Sequence, residues 1–347
     1  MQKTILSNSI DHTERRLSVQ NKLLSIEEAV ADYTWDGMTY CNGAALPVGS
    51  CSIAFGKEMV KQGRKNLNVI CHCGSQQINL LAAVGAVDRV EVGFSGLEVY
   101  GFAAGLNRAV TSGKTRMEDY SNGAMALRFF GGAMNWPFVP ATVSIHNDQQ
   151  WCSADYPDEY PCNRKIPEIT DPFTGKKYGA FRTIRPDVAA IHVTMADIYG
   201  NAIMLGTEWN RFEMSRASKK VVLVADQIVH TDCMRQYPNL VRIISEVVDA
   251  VVYWPYAAWP QASPGLYDSD EEHMFYMNKM MKTEADTEAY CDQWVKNWNS
   301  HEEYMALIGD EKIEKISKTA TAFLMDPYRK WIRSDDEIRE LQNMTKG

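Results

Sequence analysis

The chain has 347 residues, of which 45% are hydrophobic, 10% aromatic and 23% charged. That excludes a small disulfide-stapled module and a disordered chain, and it sets an expectation of one large domain with extensions or two ordinary ones. With 36 Lys and Arg against 44 Asp and Glu the net charge is −8, so neither a nucleic acid nor an anionic membrane surface is expected as the main partner.

In chain order, residues 1–25 read as a polar extension. The opening MQKTILSNSIDHTERRLSVQ places polar and charged groups where a secretory signal would carry its apolar core, which predicts a cytoplasmic protein. Ile26–Tyr33 has the spacing of an amphipathic helix, and Cys51–Lys61 that of a second, stopped by Gly63. Short runs rich in Val and Ile then recur at Asn68–Cys73, Val87–Val92, Ala141–Ile145, Val188–Val193, Val221–Ala225 and Val247–Tyr253, separated by segments of helical period. Near-continuous apolar strands joined by helical crossovers predict an α/β fold, an open and mostly parallel sheet with helices on both faces. The longest apolar runs fall far short of the roughly 20 residues of a membrane-spanning helix, so no membrane segment is expected.

Within this frame Asn147–Phe181 stands apart. Its Pro, Asp, Tyr and Gly content predicts a long irregular excursion, serving as a lid, an interface arm or a solvated insertion. Beyond the Pro- and aromatic-rich stretch after Tyr253, Met274–Met325 reads as amphipathic helices. The expected organisation is therefore an α/β domain over residues 26–270, carrying the 147–181 insertion, and a helical C-terminal segment over residues 271–347.

Eight cysteines are dilute and lie mostly in apolar runs, which reads as reduced thiols. Cys71 and Cys73 flank His72. With no second pair at zinc spacing they are read as two buried thiols of a core strand, and no metal is expected.

Glycine-rich turns carry most of the functional signal. Asn42-Gly43 precedes a helix, Gly74-Ser75-Gln76 follows the strand with Cys71, and Gly93-Phe94-Ser95-Gly96 follows the strand with Val87. In an open parallel sheet ligands bind beyond the carboxyl ends of the strands, where glycine admits the backbone and helix N-termini present N–H groups. None of the turns matches GxGxxG or a phosphate loop, so no nucleotide cofactor is expected. The run from Met195 to Ala202 reads as a tight structural turn built on Asp197, Gly200 and Asn201. His146 and His192 lie on strand-like runs and read as core histidines. Glu98, Glu118 and Asp119 are the acids nearest the turns and read as solvated or capping carboxylates. No G-x-S-x-G or H-E-x-x-H motif is present.

Four segments carry a resemblance. Gly113-Lys-Thr-Arg-Met-Glu-Asp-Tyr-Ser121 is similar to a G-K-x-x-M-E-D-Y-S run, and Trp136-Pro-Phe-Val-Pro-Ala-Thr142 to L-P-F-x-P-V-T. Pro186-Asp-Val-Ala-Ala-Ile-His192, followed by Asp197 and Gly200-Asn201, resembles V-D-V-A-I-I-H with its D-x-x-G turn. Pro255-Tyr-Ala-Ala through Gly265-Leu-Tyr-Asp268 resembles P-Y-G-A-H-P and G-L-Y-D. In this order, from about Glu27 to about Gly309, they resemble the alpha subunits of family I CoA-transferases, most of all the glutaconate type.

The resemblance implies the NagB/RpiA/CoA-transferase fold and a beta subunit of similar fold, in a heterotetramer or larger assembly. It also implies coenzyme A as the substrate thioester, passed between an acyl-CoA and a carboxylic acid through a glutamate of the beta subunit. No catalytic nucleophile is then expected in this chain, and Gly43, Ser75, Gln76, Phe94, Ser95, Asn122 and Gly123 are expected to face the acyl group. The stretch FSGLEVYGFAAGLNRAV departs from the glutaconate type in being more apolar around Leu97 and Phe102, which predicts a bulky or less polar acyl group, with a dicarboxylic one as the other expectation. The same scaffold hosts ring-opening hydrolases, decarboxylases and non-catalytic binding modules. The ring-opening hydrolases carry an acid where this chain has Asn122, which favours transfer.

Overall fold

The computed structural model describes residues 20–43, 51–144, 148–151 and 164–345. Thirteen strands are described: β1 (Leu23–Leu24), β2 (Thr39–Cys41), β3 (Leu67–Cys73), β4 (Val87–Phe94), β5 (Arg116–Asp119), β6 (Phe138–Ala141), β7 (Glu168–Thr170), β8 (Lys177–Arg182), β9 (Val188–Ala196), β10 (Ala202–Ile203), β11 (Lys220–Ile228), β12 (Val241–Ile243) and β13 (Ala250–Tyr253). The helices are α1 (Ile26–Tyr33), α2 (Ile53–Lys61), α3 (Gln76–Ala83), α4 (Ala104–Thr111), α5 (Asn122–Ala133), α6 (Arg211–Ala217) and α7 (Thr231–Gln236). After β13 come α8 (Glu271–Met280), α9 (Glu284–Trp294), α10 (His301–Ile308), α11 (Asp310–Ser317) and α12 (Asp335–Thr345).

The main sheet runs β1-β13-β11-β9-β2-β3-β4-β5, every neighbouring pair parallel, with β10 and β12 added antiparallel beside β9. This is the predicted α/β architecture. Alternation along the strands sorts side chains onto two buried faces. Val188, Ala190, Val222, Val224, Ala250 and Val252 join one core, while Ala189, Ile191, Val193, Val221, Leu223, Ala225 and Val251 join the other. Burial on both faces is why these strands read as continuous apolar runs. From β2 the order departs both ways, to β3–β5 on one side and to β9, β11 and β13 on the other, so the junction of β2 and β9 is the topological switch point.

The C-terminal helices are not a separate body. Trp298, Tyr304, Ile308 and Ile316 enter the same core as α1, α2 and β3, and Ile338 of α12 enters the other. Leu23 and Leu24, placed by sequence in the polar extension, form β1 beside β13.

Three expectations need correction. The strand predicted at Ala141–Ile145 is β6, which ends at Ala141; residues 145–147, including Ile145 and His146, lie outside the described residues. The start of the strand predicted at Val247–Tyr253 is a 3₁₀ turn at Ser245–Val247, and the strand begins at Ala250. The 147–181 excursion is partly regular: β7 and β8 form a hairpin that pairs with β6 in a second, antiparallel sheet. Its turn is closed by Asp171, which accepts from Phe173 N at 2.9 Å and Thr174 Oγ1 at 2.5 Å. Residue 147 and residues 152–163 of the excursion lie outside the described residues.

Candidate active site

Because β2, β3, β4 and β5 are parallel neighbours, their carboxyl ends bring four turns to one edge. Cys73 pairs with Phe94 and Val92 with Asp119, so the residues just beyond them share a level. The turns are then tied to one another. Gly74 N donates to the Phe94 carbonyl at 2.6 Å, Asn42 Nδ2 to Ser75 Oγ at 3.2 Å, and Cys73 Sγ lies 3.6 Å from Asn122 Oδ1.

Two of the helices that start at this edge are capped by serine side chains. Ser75 caps α3 by accepting from Gln77 N at 3.2 Å, and Ser121 caps α5 by accepting from Ala124 N at 3.1 Å. The α5 start is the open one. Asn122 and Gly123 are exposed there, and a helix has no internal acceptors for its first N–H groups, so the partial positive end of α5 faces outward. α5 can start this close because Gly93 lacks a side chain: a methyl on it would overlap Asn122 Oδ1 and stand 3.0 Å from Asn122 Cα.

The residues singled out in the sequence separate into two sets. Phe94, Asn122 and Gly123 are exposed at the edge, with Ser95 half-buried beside them. Phe94 lies over Gly96, where any Cβ would strike its ring. Gly43, Ser75 and Gln76 form the buried frame behind. Gly43, at φ +61°, lies against β9 at the switch point, where a Cβ would meet Ala190 O and Ile191 Cα at 3.3 Å. The Ser75 hydroxyl is occupied by Gln77 N, Asn42 and Cys51 Sγ, the last at 3.3 Å. Gln76 turns away altogether. Its Nε2 donates to the Met274 carbonyl at 3.0 Å and its Oε1 accepts from Asn79 at 3.1 Å, which docks α3 on α8.

The Asp197 turn is closed by its own residues. Asp197 Oδ1 accepts from Tyr199 N at 3.0 Å and Asn201 N at 2.9 Å, and its Oδ2 from Asn201 Nδ2 at 2.8 Å. Gly200 takes φ +94° beneath Val248. The turn's outward bonds run to Lys22 N and Ser245 N rather than to the glycine turns.

Other expectations change. Leu97 is fully buried in the core, while Phe102 is 87% exposed and bridged to Gly96 beneath Phe94, so the exposed apolar residues of this turn are Phe94 and Phe102. Glu118 is neither solvated nor a cap: it is buried against Lys165 at 2.8 Å. His192 has Asp226 Oδ2 at 2.8 Å from its Nε2 and is a buried core histidine. On β3 the side chain of His72 alternates to the face opposite Cys71 and Cys73, and it meets Asn210 Oδ1 and the edge of Trp209. Trp209 and Asn210 bring the loop before α6 to the site. The sequence reading missed them, and no local motif marks them.

Three thiols near the edge are held protonated. Burial pushes Cys41 and Cys51 up to about 12, and burial with the nearby charge of Glu98 pushes Cys73 to about 11. None is poised as a thiolate nucleophile. The edge instead offers the Asn122 amide, the N–H groups of α5 and the ring of Phe94, a set that binds a carboxylate or a developing oxyanion and adds no charge of its own.

A family model described as "Coenzyme A transferase" matches residues 23–253. The chain belongs to the coenzyme A transferase family. Among curated relatives, an uncharacterised protein of Archaeoglobus fulgidus is 33% identical over 312 residues, covering 89% of this chain and 66% of the relative's own length. One of the subunits of the glutaconate CoA-transferase of Acidaminococcus fermentans is 26% identical, covering 84% of this chain and 93% of its own length. The crystal structure of glutaconate coenzyme A-transferase from the same organism superposes with a TM-score of 0.80 at 24% identity, covering 86% of this chain and 96% of the matched one. The fold predicted by resemblance is therefore present. No helix among the described residues is long and apolar enough to cross a membrane.

Proposed function

We propose that this chain is the alpha subunit of a heteromeric CoA-transferase that moves CoA between an acyl-CoA and a carboxylic acid, with the nucleophilic glutamate on a beta subunit. The observation that carries this reading is the outward-facing edge of Phe94, Ser95, Asn122 and Gly123 in a chain of this family. It is equipped to hold an acyl carboxyl group and to stabilise negative charge, while its thiols stay neutral. That the glutaconate relative is itself one subunit of its enzyme supports a divided assembly.

In the proposed cycle the partner's carboxylate attacks the thioester carbonyl, the C–S bond breaks, and CoA leaves as thiolate to give an acyl-glutamyl anhydride. The thiolate then attacks the glutamyl carbonyl. The acyl group departs as its carboxylate, leaving a glutamyl-CoA thioester that the acceptor acid discharges by the reverse steps. Each enzyme-bound intermediate is an anhydride or a thioester, so the activation of the starting thioester is kept on the glutamyl group and no ATP is needed. In this cycle the Asn122 amide and the first N–H groups of α5 bind the carboxyl oxygens and the tetrahedral oxyanions, and Phe94 covers the acyl chain from water.

Amide donors at the edge support a carboxylate-bearing group, and the exposed rings of Phe94 and Phe102 beside them support an apolar body attached to it. A hydrolase is the second reading, favoured by Glu98, an exposed carboxylate at φ +53° whose charge reaches Cys73. The test is to isolate the tagged chain with its bound partner and supply a panel of acyl-CoA esters with acetate. Acetyl-CoA formation supports transfer, whereas free CoA alone makes the assembly a hydrolase.

A further inference from the structure

At the other end of the strands, about 13 Å from the glycine turns along β4 and about 20 Å along β3 at the rise of a β-strand, lies a cavity of about 860 Å³. It opens between the starts of β2, β3 and β4, marked by Thr39, Asn68 and Arg89, and the segments that flank the second sheet, at Asn135–Pro137 and Arg182–Arg185. Its floor is a buried ion cluster. Glu91 is bridged by Arg89 and Arg128, each at 2.6 Å, and Arg128 Nε donates to the Arg182 carbonyl at 2.9 Å. Although burial alone would raise it, the Glu91 carboxyl is held below its usual range by Arg128, Arg89 and Arg182.

Among the described lining residues, one carboxylate therefore faces four guanidinium groups, those of Arg89, Arg128, Arg182 and Arg185. The adjacent Asp187, which accepts from Thr39 N–H at the rim at 2.8 Å, is balanced by Lys219 at 2.8 Å. Beyond the Glu91 cluster, Arg182 and Arg185 bring two further guanidinium groups to the cavity, in a chain whose net charge is −8, and such a pair favours a multiply charged anion. Guanidinium forks match phosphate oxygens in pairs. The volume is that of a small-molecule site, and Trp136, 43% exposed, adds an indole surface at the rim beside Phe130.

We propose that this cavity binds a nucleoside polyphosphate, its phosphates on Arg182 and Arg185 and its base against Trp136. The site is separate from the edge that handles the acyl group, and the proposal does not depend on the transferase reading.

The test uses the full chain without its partner, so that no CoA site on the partner contributes, and titrates ADP, pyrophosphate, adenosine and citrate by calorimetry. ADP is expected to bind saturably below about 1 mM, pyrophosphate at least about tenfold more weakly, and adenosine and citrate not measurably. The double variant R182A/R185A, altered at an exposed and a half-buried side chain, should keep its fold by circular dichroism and lose at least about tenfold in ADP affinity. W136A should bring ADP down to the level of pyrophosphate and leave pyrophosphate unchanged. Absence of ADP binding, or binding indifferent to R182A/R185A, overturns the proposal. Equal binding of citrate overturns it in favour of a carboxylate site. Loss of partner capture by R182E/R185E, with no nucleotide bound by the wild type, overturns it in favour of an acidic protein surface.

Discussion

Asn122 stands directly over Gly93, so close that any side chain on the glycine would occupy the space of its amide. One glycine at the end of β4 thus sets the position of the first residue of α5, and with it the donors proposed to face the acyl group.

Gly93→Ala is therefore expected to displace Asn122 and to lower kcat/KM of the assembled enzyme by at least about tenfold, with a loss of about 1 kcal/mol in stability. Gly123→Ala is the control, because nothing lies within 4 Å of its added methyl. Its stability should stay within about 0.5 kcal/mol of the parent. Equal kinetics for G93A and the parent would break the link between Gly93 and the site.

Lys57 is fully buried on α2, with its ammonium 4.7 Å from the Trp259 ring centroid and 5.4 Å from that of Tyr304. Burial lowers its pKa from 10.5 to about 7, and the two rings offset part of the cost. Between these values the unfolded chain carries the extra proton, so this group makes stability rise with pH across that window, and its penalty is fully present below it. Lys57→Met should stabilise by about 2 kcal/mol near pH 6, with the gain shrinking towards pH 10. Urea unfolding at several pH values measures it, and a gain that does not change with pH would contradict the assignment.

Lys165 and Glu118 are each 1% exposed and 2.8 Å apart, and Lys165 also donates to the Asp119 carbonyl at 2.6 Å. Removing one partner strands the other's charge. Lys165→Met should cost about 3 kcal/mol, read as a fall in Tm, while the double variant K165M/E118L should recover most of that loss. Additive losses would show that the two residues act independently.

Glu98→Gln separates the two chemical readings. If the chain serves a transferase, CoA transfer by the assembly should stay within about threefold of the parent. A hydrolase with Glu98 as its base would lose about a hundredfold or more.

Much of this arrangement was legible in the sequence because of burial. β3, β4, β9 and β11 are covered on both faces, and their apolar runs mark them. β2 and β5 left no such trace. β2 is three residues held by pairing on both sides, and β5 is an edge strand of sequence RMED whose Glu118 is buried against Lys165, 47 residues away. The β7–β8 hairpin did carry a signal, the Asp-Pro-Phe-Thr-Gly turn between short alternating runs, which the irregular composition around it obscured. Glycine spacing marked turns that the parallel strands bring to one edge. Which side chain faces outward depended in part on contacts between distant segments, such as Gln76 with Met274. Trp209 and Asn210 come to the edge from more than a hundred residues away, which no local pattern announces.

In the proposed enzyme the site is divided, with the nucleophile on another chain. The most direct test is to incubate the assembled enzyme with acyl-CoA, reduce with borohydride, and locate the modified residue in each chain by mass spectrometry. A divided site predicts one reduced glutamate on the partner, none on this chain, and no CoA transfer by this chain alone. A reduced carboxylate on this chain, or transfer catalysed without a partner, would contradict it.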